Sequence, residues 1–350
     1  MNNDMFGVGV VEGFFGPAWS WNSRHRFCES LPAYGGDFYL YAPKRDNFLR
    51  KTWKQTHPEE IWKELQRLSS TCHRSRVAFG VGLSPYEVYA EWNQQAQALL
   101  RDKIKRLEEL NIQFLGLFFD DMRGAADLAD KQVEIVEYVR DITNTTILFC
   151  PTYYSDDPLL DRIFGQRPDG YLERIGKLSK DIQIFWTGPK VIPESILADE
   201  LNEVARVLRR KPFIWDNYFA NDGPKQCKFL KLKHLDGRTC NAFRHSNGWA
   251  FNLMNQPSLS EIVFASSVET LTGGVNAEES FHRMAAKLAG DGLELLLRRD
   301  KTAFLEMGLD KIDEGKKKDI IQALSSDRFS QELFDWLNGK YVVGAECLTD

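Results

Sequence analysis

Several features that would assign a class at once are missing from this sequence. Its first residues, MNNDMFGVGVVEG, carry no basic segment followed by a long apolar stretch, so no signal peptide is expected. No run approaches the roughly 18 uncharged apolar residues that a membrane-spanning helix requires, so no membrane partner is expected. Cysteine is scarce, with six in 350 residues. Cys28, Cys72, Cys150, Cys227, Cys240 and Cys347 form no CxxC pair and have no histidines at zinc spacing. They read as reduced thiols in a cytoplasmic protein, and neither a metal site nor a cofactor is expected. The first apolar run ends in VEGFFG rather than the G-x-G-x-x-G of a dinucleotide-binding turn. Internal repeats and low-complexity segments are absent as well. The net charge is −5, and the short basic run Lys316 to Lys318 sits among acids. That balance excludes a nucleic-acid binder working by bulk charge.

What is present is a periodic alternation. Eight short apolar runs read as buried strands: Gly7 to Gly13, Asp37 to Pro43, Arg76 to Leu83, Phe114 to Asp121, Thr145 to Thr152, Asp181 to Gly188, Pro212 to Tyr218 and Gly248 to Met254. Between them lie helical patterns at Trp21 to Tyr34, Pro58 to His73, Gln94 to Leu110, Lys131 to Asp141, Pro158 to Leu178, Pro193 to Arg210 and Ser258 to Leu271. Three of these begin at a proline, which suits a first helical turn. Continuous apolar strands alternating with helices predict an α/β fold, a (β/α)8 TIM barrel over residues 1–274. Residues 275–350 show helical patterns alone, at Glu278 to Leu288, Leu293 to Arg299, Lys311 to Leu324 and Gln331 to Leu337. They predict a small C-terminal all-helical appendage.

In such a barrel, chemistry collects at the C-terminal ends of the strands. Those ends carry Glu12-Gly13, Lys44, the pair Asp120-Asp121, Tyr153-Tyr154, Trp186, then Trp215, Asp216, Asn217 and Asp222. Asn247 precedes the eighth strand, which carries Asn252 and Asn255. Aromatics make up 12% of the chain, and rings at strand ends can serve as platforms for sugar faces as well as core. The Asp120-Asp121 pair is the sharpest feature. Adjacent strand residues point to opposite sides, so two different tasks are expected of them. Two nearby carboxylates also push one pKa up, giving a proton donor beside an anion. An aspartate after a strand also makes a good helix cap. The setting favours glycoside hydrolysis in a variant where the sugar's own 2-acetamido oxygen attacks C1, since neighbouring residues do not span the usual carboxylate separation of about 5–9.5 Å.

Six motifs, VVEGFFG, YLYAPKRD, FFDD, CPTYY, WTGPKV and WDNYFAND, occur in this order between residues 7 and 272. The chain thereby resembles family 84 of the glycoside hydrolases, which contains protein O-GlcNAcases and bacterial β-N-acetylglucosaminidases, some labelled hyaluronidases. The resemblance implies a (β/α)8 barrel and retaining, substrate-assisted hydrolysis through an oxazoline. It implies that Asp120 orients the acetamido group and Asp121 is the general acid/base. Gly13 and Lys44 resemble sugar-contacting positions, Tyr154 supports the acetamido oxygen, Trp215 and Asn217 line the N-acetyl pocket, and Asp222 and Asn247 hold the 4- and 6-hydroxyls. The expected partner is a glycoprotein or glycoside bearing N-acetylglucosamine, with self-association left open. Phe15, Arg45 and Tyr153 depart from the family's usual Tyr, Asp and Glu. Two other readings stand beside this one: a hydrolase of polymers such as hyaluronan or chitin, and a barrel that binds N-acetylglucosamine without turnover.

Overall fold

The computed structural model describes residues 6–344, so Cys347 lies outside the described residues. Eight strands, β1 (Val8–Glu12), β2 (Phe38–Tyr41), β3 (Ala78–Leu83), β4 (Phe114–Phe118), β5 (Thr146–Cys150), β6 (Gln183–Trp186), β7 (Phe213–Asp216) and β8 (Gly248–Asn252), close into one parallel barrel in sequence order. Each falls within its expected run. Around them lie α1 (Trp21–Ser30), α2 (Glu59–Arg74), α3 (Gln94–Glu108), α4 (Leu128–Ile142), α5 (Pro158–Phe164), α6 (Tyr171–Ile175), α7 (Ala198–Leu208), α8 (Cys240–Arg244) and α9 (Pro257–Gly273). Then follow α10 (Ala277–Ala289), α11 (Asp291–Arg299), α12 (Glu314–Gln322) and α13 (Arg328–Leu337).

The barrel interior is aromatic. Alternate residues of β2, β4, β6 and β7 send Phe38, Phe114, Phe118, Phe185, Phe213 and Trp215 inward, with Phe185 5.1 Å from Phe213 and 5.2 Å from Trp215 between ring centroids. Rings of this size fill a barrel only where facing positions are small. A Cβ on Gly82 would overlap Ala42 and the Phe118 ring. The same alternation turns Glu12 outward, where Arg24 of α1 holds it with two hydrogen bonds of 2.7 and 2.8 Å. It turns Asp216 outward too, onto Arg238 and the Trp249 indole. These two strand-end acids therefore anchor the outer layer.

Two helical expectations change. The span Pro158 to Leu178 is two short helices, because the intervening Gly165 and Gly170 adopt φ of 100° and 67°. The span Pro193 to Arg210 is helical only from Ala198, since Ile196 bridges to Arg238 in extended form. The short helix α8 has no counterpart among the sequence patterns.

Helix α9 is buried on nearly every side, which its apolar sequence requires. Helices α1, α8, α10 and α13 pack around it, and its Phe264 ring meets Phe251 of β8. Its buried Glu261 is matched by Tyr34 at 2.7 Å and Arg328 at 2.6 Å. Glu332 of α13 accepts the backbone N–H groups of Ser258 and Leu259, two of the orphan donors at the start of α9. Trp336 donates its indole N–H to the Cys227 carbonyl at 3.1 Å, in the long loop after β7. Leu230 and Lys228 of that loop bond the backbone of Phe304 and Leu309. The helices after residue 274 thus hold the loop that carries Asp222. Replacing Trp336 with Phe removes a buried hydrogen bond and ring volume. The expected result is a loss of about 1–3 kcal/mol of stability in denaturant unfolding.

Candidate active site

A pocket opens at the C-terminal mouth of the barrel. Its wall includes Gly13, Lys44, Asp120, Asp121, Tyr154, Trp215, Asn217 and Asp222, so eight of the nine expected site residues meet in one cavity. The strand alternation explains most of the set. Asp120 continues the inward series of Phe114, Gly116 and Phe118, and Lys44 continues that of Leu40 and Ala42.

Asp121 does not follow this rule. It was expected on the side opposite Asp120, yet both face the cavity. The reason is a backbone φ of 55° at Asp121, which ends the pleat and swings the side chain back. Aspartate tolerates the left-handed region better than most residues, but the conformation is still uncommon and is typical of functional sites.

Asn247 is a correction. It precedes β8 at the opposite end of the barrel, where its amide N–H bonds the Pro212 carbonyl and its side chain donates to Gln183 at the start of β6. A residue before a strand lies at the barrel's N-terminal face, a barrel length from the chemistry. Asn252, at the other end of the same strand, lines the pocket instead. Trp186 faces outward from β6, away from the cavity. Tyr153 also points away, with its hydroxyl donating to Gly165 at 2.6 Å.

The Lys44 ammonium bonds the Asp120 carboxylate and lies 3.5 Å from Asp121 Oδ2. Burial pushes Lys44 down, but the two carboxylates outweigh it and its pKa is raised. Asp121 is also raised. Burial is the largest cause, Lys44 opposes it, and the neighbouring Asp120 adds to it. Asp121 therefore keeps its proton above the ordinary carboxylate range. The second oxygen of Asp120, Oδ1, is buried and has no hydrogen-bond partner. Such an acceptor is costly to leave unmet unless a ligand supplies the donor.

On the opposite wall, Asn217 Oδ1 accepts from the Trp215 indole at 2.9 Å and from the Asn252 amide at 3.0 Å. Its own amide donates to the Val191 carbonyl at 3.0 Å. That network fixes the Trp215 ring as one flat wall. Asp222 accepts the Phe15 N–H at 2.7 Å. Enclosure pushes its pKa up to about 6, with the Phe15 bond opposing and the charge of Asp121 contributing.

A family model described as beta-N-acetylglucosaminidase matches residues 8–304. The chain belongs to this family. It is 32% identical over 239 residues to the Protein O-GlcNAcase of Mus musculus, covering 64% of this chain and 26% of that protein. The Protein O-GlcNAcase of Rattus norvegicus matches with the same identity and coverage. The chain thus spans about a quarter of the length of these curated relatives. Among solved structures, a variant of an O-GlcNAc hydrolase from Thermobaculum terrenum superposes with a TM-score of 0.78. It is 24% identical, over 96% of this chain and 81% of that one, and shows the same fold.

Phe15, Cys150 and Thr187 lie within the quoted motifs and line the pocket as well, and Gln226 joins them from outside those motifs. Two-residue alternation was the available signal for Cys150, which follows Leu148 inward, and for Asn252, which follows Ala250. Strand alternation reaches neither Phe15, on the irregular segment after β1, nor Gln226, which opens a short helical turn. At Gly13 the demand is steric: a Cβ there would stand 2.6 Å from Trp215 Cη2. Gly13→Ala must push the ring off its Asn217 bond. We expect a rise in KM of about tenfold for a small glycoside, from overpacking of about 1–3 kcal/mol. Steady-state kinetics measure it.

Proposed function

We propose that this chain is a retaining exo-β-N-acetylglucosaminidase that uses the substrate's own 2-acetamido group as nucleophile. The observation that carries the reading is the Asp120-Asp121 arrangement. One carboxylate is paired to Lys44 with a free acceptor oxygen; the other faces the same cavity with a raised pKa. A terminal N-acetylglucosamine in the pocket places its acetamido N–H on Asp120 Oδ1. The acetamido oxygen attacks C1 while the C1–O bond to the leaving group breaks. Asp121 gives its proton to the departing oxygen. An oxazoline forms, and its developing positive charge strengthens the contact with Asp120. Asp121, now a carboxylate, takes a proton from water as the water oxygen attacks C1 and the oxazoline opens. Two displacements at C1 return the β configuration.

Trp215, Asn217 and Tyr154 form the wall for the N-acetyl group, and Asp222 with Gly13 receives the rest of the sugar. The finer substrate we propose is N-acetylglucosamine O-linked to protein Ser or Thr, supported by the similarity to the rodent Protein O-GlcNAcases. We further propose a division at residue 274, with 1–274 as the catalytic barrel and 275–350 as a helical unit bracing its loops. The cytoplasm is the proposed compartment, in keeping with the scarcity of cysteine in the sequence. Among the described residues no helix is long and apolar enough to cross a membrane.

The test is hydrolysis of 4-nitrophenyl N-acetyl-β-glucosaminide followed by proton NMR. The β anomer should appear first, and a trifluoroacetamido substrate should react more slowly, because its oxygen is the poorer nucleophile. Binding of an oxazoline-like inhibitor without turnover identifies a sugar-binding barrel instead. Rapid shortening of hyaluronan or chitin chains identifies an internal polymer cutter.

A further inference from the structure

Three arginines are buried to nine-tenths or more: Arg24, Arg50 and Arg238. Two of them are fully engaged. Arg24 grips Glu12, and Arg238 grips Asp216 together with three backbone carbonyls. Arg50 has neither. Its Nε is sealed from solvent without a hydrogen-bond partner, and its guanidinium makes no hydrogen bond or ion pair with any described residue. An enclosed cation without a hydrogen-bonded partner is costly, and proteins ordinarily pair it.

The group is nonetheless held in one direction. Arg50 follows the short helical turn Asn47–Leu49 in the β2–α2 connection. The Leu49 carbonyl accepts the Ser84 N–H at 2.7 Å, which ties this turn to the end of β3. The guanidinium carbon stands 5.6 Å from the Phe15 ring centroid and 5.5 Å from that of Tyr86. Two aromatic rings flank the guanidinium, and its N–H groups meet no acceptor among the described residues, which leaves them available to a carboxylate.

Its position relative to the catalytic pair is defined. The Lys44 ammonium lies 5.8 Å from the same Phe15 ring. The charge of Arg50 acts on both Lys44 and Asp121. Arg50 and Lys44 therefore share the Phe15 ring within electrostatic reach of Asp121. Asp121 is the proposed donor to the departing oxygen, so the leaving group emerges within that reach. Arg50 is not part of the cavity wall, so only an anion carried outside the sugar pocket could meet it.

We propose that Arg50 is a specificity residue that receives the carboxylate of an acidic side chain next to the glycosylated Ser or Thr of a peptide substrate. The inference rests on the activity proposed above and adds the charge of its leaving group. A side chain one residue along a peptide can extend past the rim. A uronate carboxylate is fixed to the ring that bears the leaving oxygen, so it stays at the mouth.

Two synthetic glycopeptides test this, identical except for Glu or Gln beside the modified serine. The wild-type chain should favour the Glu peptide by about tenfold in kcat/KM at low salt, and the preference should shrink as ionic strength rises. In Arg50→Gln the ratio should fall close to one, and in Arg50→Lys it should be intermediate, because the fork is lost while the charge remains. The ratio is taken within each variant, so a general loss of activity or fold cancels; a purely structural role would slow both peptides equally. If Arg50→Gln does not fold, the wild-type ratio and its salt dependence still decide. A wild-type ratio within twofold of one overturns the proposal, as does a ratio that survives in Arg50→Gln. An Arg50-dependent preference for N-acetylglucosaminyl-glucuronate, with none for the Glu peptide, overturns the peptide assignment. The neutral aryl glucosaminide separates the two claims: if it is not hydrolysed, the proposed activity fails before any ratio is read.

Discussion

Asp121→Asn should lower kcat/KM on a serine-linked substrate by about 10²–10⁴-fold, the usual contribution of a positioned general acid. Asparagine is the informative replacement. Asp121 sits at φ 55°, a conformation that asparagine tolerates and alanine does not, so the backbone swing that aims the side chain is kept. What is lost is the proton. The loss should depend on the leaving group, since an alkoxide departs poorly without protonation and a nitrophenolate departs well. The variant should therefore be far less impaired on 4-nitrophenyl N-acetyl-β-glucosaminide in the first step. The pH profile gives an independent sign. Asp121 has a raised pKa, so in the wild type the rate falls on the alkaline side as its proton is lost. That alkaline limb should vanish in the variant. Equal impairment on both leaving groups, with the limb intact, would remove Asp121 from the acid role.

The barrel was legible because its strands are buried on both faces. Each reads as an unbroken apolar run, and Phe114 to Phe118 needs no partner information to be recognised. The site was legible for a related reason: once strands are placed, chemistry is expected at one end. The errors fall where that rule depends on something nonlocal. Asn247 and Asn252 bracket the same strand, and only the strand's direction separates the chemical end from the structural one. The direction of Asp121 depends on a single backbone angle, which alternation cannot supply. Glu12 and Asp216 sit at the correct ends but on the outward parity, and their arginine partners arrive from 12 and 22 residues further along the chain. Phe15 enters the pocket on a loop held from two distant places. Asp222 takes its N–H, and Asn255 donates to its carbonyl at 2.9 Å. Arg50 is the clearest case, because nothing in APKRDNFLRK distinguishes an arginine that lacks a partner from one that has found it.

Asp120→Asn tests the coupling within the catalytic pair, and three consequences should appear together. The first is loss of rate. Asp120 would hold the acetamido N–H and answer the positive charge that develops on the oxazoline, a contribution of about 3 kcal/mol for one preorganised electrostatic contact, or about 10²-fold in kcat. The second is a shift in the pH profile with a defined sign. In the wild type burial raises the pKa of Asp121, Lys44 opposes it, and the Asp120 charge adds to the rise. With Asn at 120 the raising charge is gone and the ammonium 3.5 Å away is free to pair with Asp121. Both changes push the Asp121 pKa down, so the alkaline limb must move to lower pH. The third is stability. Lys44 is buried and keeps only the more distant Asp121 as counter-charge, so part of the about 3–5 kcal/mol cost of breaking a buried pair from one side remains. Lys44→Met placed on top of Asp120→Asn removes that under-compensated cation, so the double variant should be more stable than the sum of the two single losses. A neighbour that merely packs against Asp121 could reproduce the rate loss. It could not move the alkaline limb downward and also give a non-additive cycle with Lys44, so the combination identifies Asp120 as the charged partner of both groups.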